Sequence, residues 1–213
     1  MTEYSPKRRR GRPKKDQAGH SETKAALLRA GMEILTERGF CATGIEVILR
    51  QVNVPKGSFY HYFKSKEDYG LALLESYSNY LQTQLNRALQ QSHLSGLERL
   101  QQYMQNAAQA MQRHQFARGC LVGNLSQEVA QLPPSFRQKL SGVLADWQQL
   151  VTQCLELAKA QQEIAADSDC QQLAYVFWNG WEGAVMRAKL EHSTEPLTAF
   201  SDFYIAAINT NPH

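Results

Sequence analysis

The sequence predicts an all-α fold with two parts, a three-helix N-terminal head and a larger helical C-terminal module. Apolar residues recur at the three- and four-residue spacing of amphipathic helices along most of the chain. Helix-start signals, such as Ser95 followed by Glu98, precede several of these periodic segments. No segment of useful length alternates apolar and polar residues as a half-buried strand would.

The first 20 residues form a strongly basic arm. They carry seven Lys or Arg against two Asp or Glu, whereas the whole chain carries 23 against 20 and a net charge of +3. Positive charge is therefore concentrated at one end, which is an electrostatic footprint for phosphate groups. The arm has no apolar periodicity, so we expect it to be disordered without a partner.

Within the arm, the run K-R-R-R-G-R-P-K-K resembles an AT-hook, which lies in the minor groove of A·T-rich DNA. Gly11 would permit close approach of the backbone and Pro13 would keep it extended, so that Arg10 and Arg12 reach the groove floor. The alternative is an unspecific basic arm that only contacts phosphates. Both interpretations predict that the arm raises affinity for DNA.

The head is predicted to span residues 21–66 and to begin with an amphipathic helix. Ser21 can cap this helix, and Gly39 can end it. Two short helices joined by a tight turn should follow. Thr43 and Glu46 have capping-box spacing, so the first is expected to start directly after Thr43. Pro55 separates the two, because proline disfavours α conformation in the preceding residue.

The second short helix, expected to run through Tyr62, would bury Phe59 and Phe63. Its opposite side mixes hydrogen-bond donors and flat rings, namely Lys56, Ser58, Tyr60, His61 and Tyr62. Two helices joined in this way form a helix-turn-helix, whose second helix can enter the major groove of DNA. An ordinary helical hairpin with aromatic packing is the alternative.

The run V-P-K-G-S-F-Y-H-Y-F-K-S-K-E, residues 54–67, resembles the helix-turn-helix signature of the TetR family of bacterial transcriptional regulators. The resemblance implies that Lys56 and Ser58 lie nearest to base edges, and that Tyr60, Tyr62 and Lys66 lie nearer to phosphates. The full set of expected DNA-contacting residues is Arg10, Arg12, Thr43, Lys56, Ser58, Tyr60, His61, Tyr62 and Lys66. The family further implies a homodimer on a palindromic double-stranded operator, since one helix-turn-helix reads only a few base pairs.

Residues 67–213 are predicted to form the ligand-binding and dimerisation module, helical throughout. Its expected helix starts are Ser65, Ser95 with Glu98, Gly119, Pro133-Pro134, Ser168 with Gln171, and Pro196. Small residues at Gly180, Ala184 and Ala188 repeat every four positions. They would let a helix of a second subunit approach closely, in the four-helix dimer bundle that the family resemblance implies. Packing within one subunit is the alternative.

Another stripe of the same helix mixes apolar and charged groups. It consists of Trp178, Trp181, Glu182, Val185 and Lys189. A charged side chain on an otherwise apolar stripe must be paired with an opposite charge, be exposed to water or bind a ligand. Glu182 and Lys189 are therefore either partly exposed or paired, or belong to the wall of a pocket for a small polar ligand. Asn124 and Glu128 could line the opposite wall, and TetR relatives bind inducers among these middle helices.

Cys120 is the candidate sensing residue. It lies in R-G-C-L-V-G-N-L at a predicted helix start, where the helix dipole and Arg118 would favour the reactive thiolate. Together with R-G-R-P, V-P-K-G-S-F-Y-H-Y-F and W-E-G-A-V-M-R-A-K-L-E, this run resembles the acrylate-responsive members of the family. The V-P-K-G-S-F-Y-H-Y-F run, the G-C-L segment and a downstream A-K also resemble the repressor of N-ethylmaleimide reductase. The resemblance maps a sensing cysteine onto Cys120 and its partner lysine onto Lys189. The alternative is a small buried hydrophobe, as we expect for Cys41, Cys154 and Cys170.

These observations predict a repressor that a small electrophile or acrylate-like molecule releases from DNA. An enzyme is disfavoured, because the chain has no G-x-S-x-G, HExxH, phosphate loop or nucleotide fingerprint. A thiol enzyme using Cys120 and an architectural DNA-binding protein stay open as alternatives. No apolar run long enough to span a membrane and no signal peptide is seen, so a cytoplasmic location is expected. The sequence requires no cofactor, and its cysteines lack zinc-site spacing.

Overall fold

The structure is a computed structural model that describes residues 17–210, with side chains from Ser21 onward, and this range forms nine α-helices. The helices are α1 (Gln17–Arg38), α2 (Ile45–Gln51), α3 (Lys56–Phe59), α4 (Lys66–Leu89), α5 (Gly96–Arg113), α6 (Leu121–Gln127), α7 (Pro134–Ala160), α8 (Cys170–Glu191) and α9 (Glu195–Ile208). Across that range the only β pairing is an isolated bridge between Ile164 and Asn209. The all-α prediction is confirmed. The AT-hook-like run with Arg10 and Arg12 lies outside the described residues.

The head comprises α1, α2 and α3, with boundaries that differ from those expected. α1 begins at Gln17, so Ser21 lies inside the helix and is not its N-cap. The capping box proposed for α2 was wrong, because Gly44 is the N-cap and has no side-chain cap. Thr43 instead donates its hydroxyl to the Gly39 carbonyl oxygen at 2.7 Å. Gly39 does end α1 as predicted, with a φ of 83° that suits glycine.

The second helix of the pair is shorter than expected. α3 ends at Phe59 and continues as turns through Tyr62. Phe59 and Phe63 are buried as predicted and pack with Tyr69 of α4, at ring-centroid distances of 5.3 and 4.8 Å. The Tyr69 hydroxyl also donates to the Leu27 carbonyl oxygen of α1 at 2.6 Å. These contacts fix the head on the N-terminal end of α4.

The C-terminal module packs α4, α5, α7 and α8 around an aromatic core, with α9 against α8. The predicted caps at Ser65 and Ser95 are confirmed, and Ser95 with Glu98 forms a complete capping box. Asp169 rather than Ser168 caps α8. Trp147 lies fully buried at the centre, with its ring 5.2 Å from that of Trp178. In the part of the chain that the structure describes, no helix is both long and apolar enough to cross a membrane.

The small residues of α8 pack within one subunit, contrary to the dimer role expected for them. A Cβ atom on Gly180 would collide with the ring of Phe200 in α9. Ala184 and Ala188 are buried as well. The exposed side of α8 is a different face, and a Cβ on Gly183 there would meet no atom within 4 Å. Large apolar residues stand exposed on α8 and α9, namely Tyr175, Val176, Met186, Leu190 and Phe203.

Candidate functional site

The outer side of the helix-turn-helix presents the residues that the sequence predicted. Lys56, Tyr60 and His61 are exposed, and Ser58 and Tyr62 are partly exposed. The Lys56 ammonium donates to Glu46 at 2.6 Å, and this exposed pair raises the pKa of the lysine. A phosphate or base would have to compete with Glu46 for Lys56. These five side chains lie within residues 56–62, and we call them the recognition surface.

Two of the expected DNA contacts, Thr43 and Lys66, have partners within the protein. Thr43 is only 2% exposed, so it offers no accessible group to DNA. The Lys66 ammonium donates to the Phe40 carbonyl oxygen at 2.9 Å and stands 4.6 Å from the centre of the Phe40 ring. A cation at a helix start is unfavourable for the helix dipole. The carbonyl oxygen and the ring of Phe40 offset this cost for Lys66.

A cavity of about 780 Å³ lies in the C-terminal module and extends to α1. Four predicted ligand residues, Cys120, Trp178, Trp181 and Glu182, line it. Tyr77 of α4 and Tyr103 of α5 line it too, and sequence reasoning missed both as site residues. Each lies on the apolar side of its helix, where an aromatic residue usually belongs to the hydrophobic core, so helical periodicity provided no reason to assign it to a site. A cavity of this size suits a small organic ligand.

Glu182 lies among weakly acidic groups at the inner end of the cavity. Its carboxyl group rests against Gly123, where the absence of a Cβ atom leaves room for it, and it shares a hydrogen bond with the Cys120 thiol. Burial raises the pKa of Glu182 to about 7, an effect that the thiol contact only partly offsets. Burial also raises the pKa values of Tyr77 and Tyr103 well above their usual range. At neutral pH both tyrosines are neutral, and Glu182 holds a proton much more readily than an exposed carboxyl group does.

The expectation that the helix start and Arg118 together favour the Cys120 thiolate was wrong. Cys120 is the N-cap of α6, and its sulfur accepts from the Gly123 amide at 3.5 Å, a contact that favours the charged form. Burial and the neighbouring Glu182 carboxylate nevertheless hold the pKa of the thiol well above its usual value. Arg118 is turned away and pairs with Glu37 at 3.4 Å and with Glu33 at 3.7 Å. The cavity therefore presents a neutral thiol.

Asn124 and Glu128 do not line the cavity, contrary to expectation. They point from α6 toward the C-terminal end of α1. The Asn124 side chain donates to the carbonyl oxygens of Leu35 and Thr36, both at 3.2 Å. The Glu128 carboxylate accepts from the Phe40 amide at 3.1 Å and from the Cys41 amide at 2.8 Å.

Lys189 also belongs to this contact rather than to the cavity. Its ammonium donates to the carbonyl oxygens of Thr36 at 2.9 Å and Glu37 at 2.8 Å. These carbonyls end α1, where a cation is favoured by the helix dipole. We call Asn124, Glu128 and Lys189 the α1 clamp. It lines a separate depression of about 190 Å³ and joins the head to the module that holds the cavity.

The remaining cysteines fall into two groups. Cys154 and Cys170 are buried, as expected of structural residues. Cys41 is exposed, contrary to expectation, and lies directly beside Glu128 of the α1 clamp. Burial and the Glu128 carboxylate raise the pKa of the Cys41 thiol. It is therefore an accessible thiol outside the cavity.

Both parts of the chain match known families. Residues 27–72 match the family described as bacterial regulatory proteins, tetR family, and residues 96–204 match the tetracyclin repressor-like C-terminal domain. The chain belongs to the TetR family of bacterial transcriptional regulators. The resemblance seen in residues 54–67 is thereby confirmed. TetR regulators act on DNA through the helix-turn-helix of their N-terminal domain, here the head.

Individual TetR-family relatives cover most of the chain. It is 48% identical over 195 residues to the transcriptional regulator AcuR of Cereibacter sphaeroides, which covers 92% of this chain and 89% of AcuR. It is 34% identical over 180 residues to the HTH-type transcriptional repressor NemR of Escherichia coli K12. This match covers 83% of this chain and 88% of NemR. AcuR is thus a transcriptional regulator and NemR a transcriptional repressor.

Solved TetR-family structures share the fold. The regulatory protein TetR from Rhodobacter sphaeroides superimposes with a TM-score of 0.85 at 47% identity, covering 86% of this chain and 97% of that one. Reduced NemR from Escherichia coli superimposes with a TM-score of 0.79 at 31% identity, covering 90% of this chain and 98% of the NemR chain. The N-terminal head and C-terminal helical module are thus the arrangement of the family.

Proposed function

We propose that this protein is a ligand-responsive repressor that binds a palindromic operator as a homodimer and leaves it when a small molecule enters the cavity. The observation that carries the proposal is the α1 clamp. The N-cap of α6 is Cys120, which lines the cavity, and its C-cap is Glu128, which holds the loop after α1. The same short helix therefore touches the ligand site and the DNA-binding head.

The α1 clamp supports a simple mechanism. A ligand at the inner end of the cavity contacts Cys120 and Glu182, at the start of α6 and in the middle of α8. Displacement of either helix moves Glu128 or Lys189, and with them the C-terminal end of α1. The ligand needs only a differential affinity of about 1–3 kcal/mol between the two arrangements to change operator occupancy appreciably.

The exposed apolar residues of α8 and α9 support the homodimer. Leu190 is 79% exposed and Phe203 is 74% exposed, although both are large and apolar. Several large apolar side chains exposed on two neighbouring helices are typical of an interaction site. A twofold dimer through α8 and α9 would cover it and hold two heads at the spacing of successive major grooves.

Replacing Tyr60, Tyr62 and Lys56 together by alanine is expected to abolish specific operator binding. Each base-reading or phosphate contact contributes about 1–3 kcal/mol, so the loss should exceed a hundredfold in affinity. The measurement is fluorescence anisotropy on an operator that footprinting has first located in the adjacent intergenic DNA. Glu75→Ala, on the exposed side of α4, is the control. Unchanged operator affinity in the triple variant would show that the recognition surface is misassigned.

Cys120→Ser is expected to abolish release of the operator by acrylamide, a small neutral electrophile. The Cys120 sulfur would bond to the β carbon of acrylamide while the thiol proton ends on the α carbon. Because burial and Glu182 raise the pKa of this thiol, alkylation should be slow at pH 7 and accelerate with pH. Cys41→Ser is the matched control, since Cys41 is exposed and lies outside the cavity. A normal acrylamide response in Cys120→Ser, or its loss in Cys41→Ser, would contradict covalent sensing at Cys120.

A further inference from the structure

The inner end of the cavity brings a carboxyl group, a phenol and a thiol together. The Glu182 carboxyl group of α8 and the Tyr77 hydroxyl of α4 both share hydrogen bonds with the Cys120 thiol. All three residues line the cavity, and Cys120 is 8% exposed. A small molecule in the cavity therefore meets the Cys120 sulfur with a carboxyl group and a hydroxyl already in contact with it.

The Glu182 carboxyl group is held against the first turn of α6. A Cβ atom on Gly123 would collide with Glu182 Oε2, so glycine at this position makes room for the carboxyl group. The Gly123 amide in turn donates to the Cys120 sulfur at 3.5 Å. Within the described residues, Glu182 has the Cys120 thiol as a hydrogen-bond partner and forms no ion pair. Its charge is therefore available to the thiol proton.

Alkylation of a buried thiol requires a proton acceptor within the site. The thiolate is the nucleophilic form of cysteine, and burial together with the Glu182 charge keeps the pKa of Cys120 well above its usual value. A free thiolate is therefore scarce at neutral pH. A base in contact with the thiol removes this obstacle, because the proton can leave as the new bond to sulfur forms.

We propose that the Glu182 carboxylate is the general base that accepts the Cys120 thiol proton while the sulfur attacks an electrophile in the cavity. The proposal rests on the proposed function, in which Cys120 is alkylated. With acrylamide, a sulfur electron pair forms the bond to the β carbon, and the double-bond electrons move toward the α carbon. Glu182 then passes the proton to the α carbon and returns to its carboxylate form. The addition consumes no further reactant.

Tyr77 has a supporting role in this step. Its hydroxyl donates to the Cys120 sulfur and favours the charged form of the thiol. Burial raises the pKa of Tyr77 well above its usual value, so the hydroxyl keeps the proton that it donates. A fixed donor of this kind stabilises negative charge as it develops on the sulfur. Tyr77→Phe should therefore slow alkylation without altering its dependence on pH.

The ionisation of Glu182 should control the alkylation rate near neutral pH. Burial raises the pKa of this carboxyl group to about 7. Glu182 is therefore protonated and unable to act as a base at lower pH, and it gains its charge as the pH rises. Tyr77 from α4, Tyr103 from α5 and Cys120 at the start of α6 face Glu182. Burial raises the pKa values of all three, so they stay neutral in this range.

The other charged groups of the cavity are shared by every Glu182 variant. Among the described residues, α7 and α9, which both pack against α8, contribute none to the cavity lining. The remaining ionisable groups come from α1, α4, α5 and the segment before α6, and they are Arg29, Glu33, Arg87, Arg113, His114 and Arg118. A difference between the pH profiles of the parent and a Glu182 variant therefore reports on Glu182.

The test measures the rate of Cys120 alkylation by acrylamide between pH 6 and pH 9, followed by intact-mass spectrometry and peptide mapping. Cys41→Ser serves as the parent, because Cys41 is exposed whereas Cys154 and Cys170 are buried. A series of acrylamide concentrations separates binding from bond formation. We expect the maximal rate in this parent to rise through pH 7 and to level off above about pH 8, where Glu182 is ionised.

Glu182→Gln distinguishes proton transfer from simple electrostatics. Loss of a general base should lower the maximal rate at pH 7.5 about a hundredfold and remove the plateau. If Glu182 only raises the thiol pKa, removal of its charge should instead speed alkylation, because the thiolate forms more easily. The two roles therefore predict changes of opposite sign.

Two further variants complete the comparison. Glu182→Asp keeps a carboxylate and should retain the plateau at a lower maximal rate. Glu33→Gln is the matched control, because Glu33 also lines the cavity but pairs with Arg118 at 3.7 Å. It should be alkylated at the rate of the parent. Thermal unfolding of each variant establishes that it is folded.

Each outcome decides the proposal. An unchanged or faster alkylation of Cys120 in Glu182→Gln would overturn the role of Glu182 and leave covalent sensing at Cys120 intact. A parent whose rate keeps rising to pH 9 without a plateau would also overturn it, whether or not the variants fold. If Cys120 of the parent is not alkylated at any pH, both this role and covalent sensing fail.

Discussion

Glu128→Ala is expected to lower the free energy of unfolding by about 2–4 kcal/mol, because hydrogen bonds to a charged acceptor contribute more than neutral ones. The Glu128 carboxylate accepts from two backbone amides that follow α1, at 3.1 Å from Phe40 and 2.8 Å from Cys41. Its loss leaves both amides without this acceptor and frees the loop between α1 and α2. The measurement is urea denaturation of the variant beside the parent.

The same variant should also disconnect the head from the cavity. We expect acrylamide to alkylate Cys120 of Glu128→Ala at the rate of the parent, while its effect on operator affinity shrinks severalfold. Glu75→Ala removes an exposed carboxylate of α4 and should leave both properties unchanged. Unaltered stability together with an unaltered ligand effect on the operator would show that the α1 clamp carries no coupling.

Combining Leu190→Glu with Phe203→Glu is expected to produce a monomer and to reduce operator affinity by about a hundredfold or more, the range in which two linked sites gain from avidity. Both residues are more than 70% exposed in the single chain, so the monomer should tolerate the charges. In a dimer the two carboxylates would be buried without partners, which is strongly unfavourable.

Sedimentation velocity measures the oligomeric state of this double variant, and anisotropy measures its operator affinity. Gln105→Glu, which adds a carboxylate to the exposed side of α5, is the control and should remain dimeric. A double variant that stays dimeric would place the dimer interface elsewhere. One that is monomeric yet binds the operator normally would contradict the two-headed mode of binding.

Local signals in the sequence predicted the helices well, and competition between adjacent signals explains the errors. Ser95 and Glu98 form the capping box that their spacing indicates, because the whole interaction lies within four residues. At the start of α8, Ser168 and Asp169 are both good caps, and the structure uses Asp169. Thr43 had the spacing of a cap but donates backwards to Gly39 instead.

The cavity wall was partly predictable, and the α1 clamp was not. Helical spacing placed Trp178 and Glu182 on one face, and both line the cavity. Lys189 shares that face but lies two turns further along, beyond the cavity and against α1. Periodicity shows which residues share a side of a helix. It does not show what that side will contact, which here is the cavity for Trp178 and Glu182 and the C-terminal end of α1 for Lys189.

Cys120 shows how a local electrostatic argument is overruled by burial. Its place at a helix start was predicted and is confirmed, and the Gly123 amide does approach the sulfur. The effect of burial on the thiol pKa is larger, and Glu182 adds to it. Neither the depth of the site nor the contact with Glu182, 62 positions away in the chain, can be inferred from the residues next to Cys120.

The α1 clamp is distinct from the residues that contact a ligand, so the ligand-contacting residues can be replaced while the residues that hold α1 are kept. α6 spans only about 10 Å, at 1.5 Å per residue, yet its start lines the cavity and its end holds the loop after α1. Side chains that choose the ligand are therefore not those that transmit its arrival. A modular biosensor could be built on this scaffold by redesigning Trp178, Trp181 and Glu182 for a new analyte while keeping Asn124, Glu128 and Lys189 unchanged.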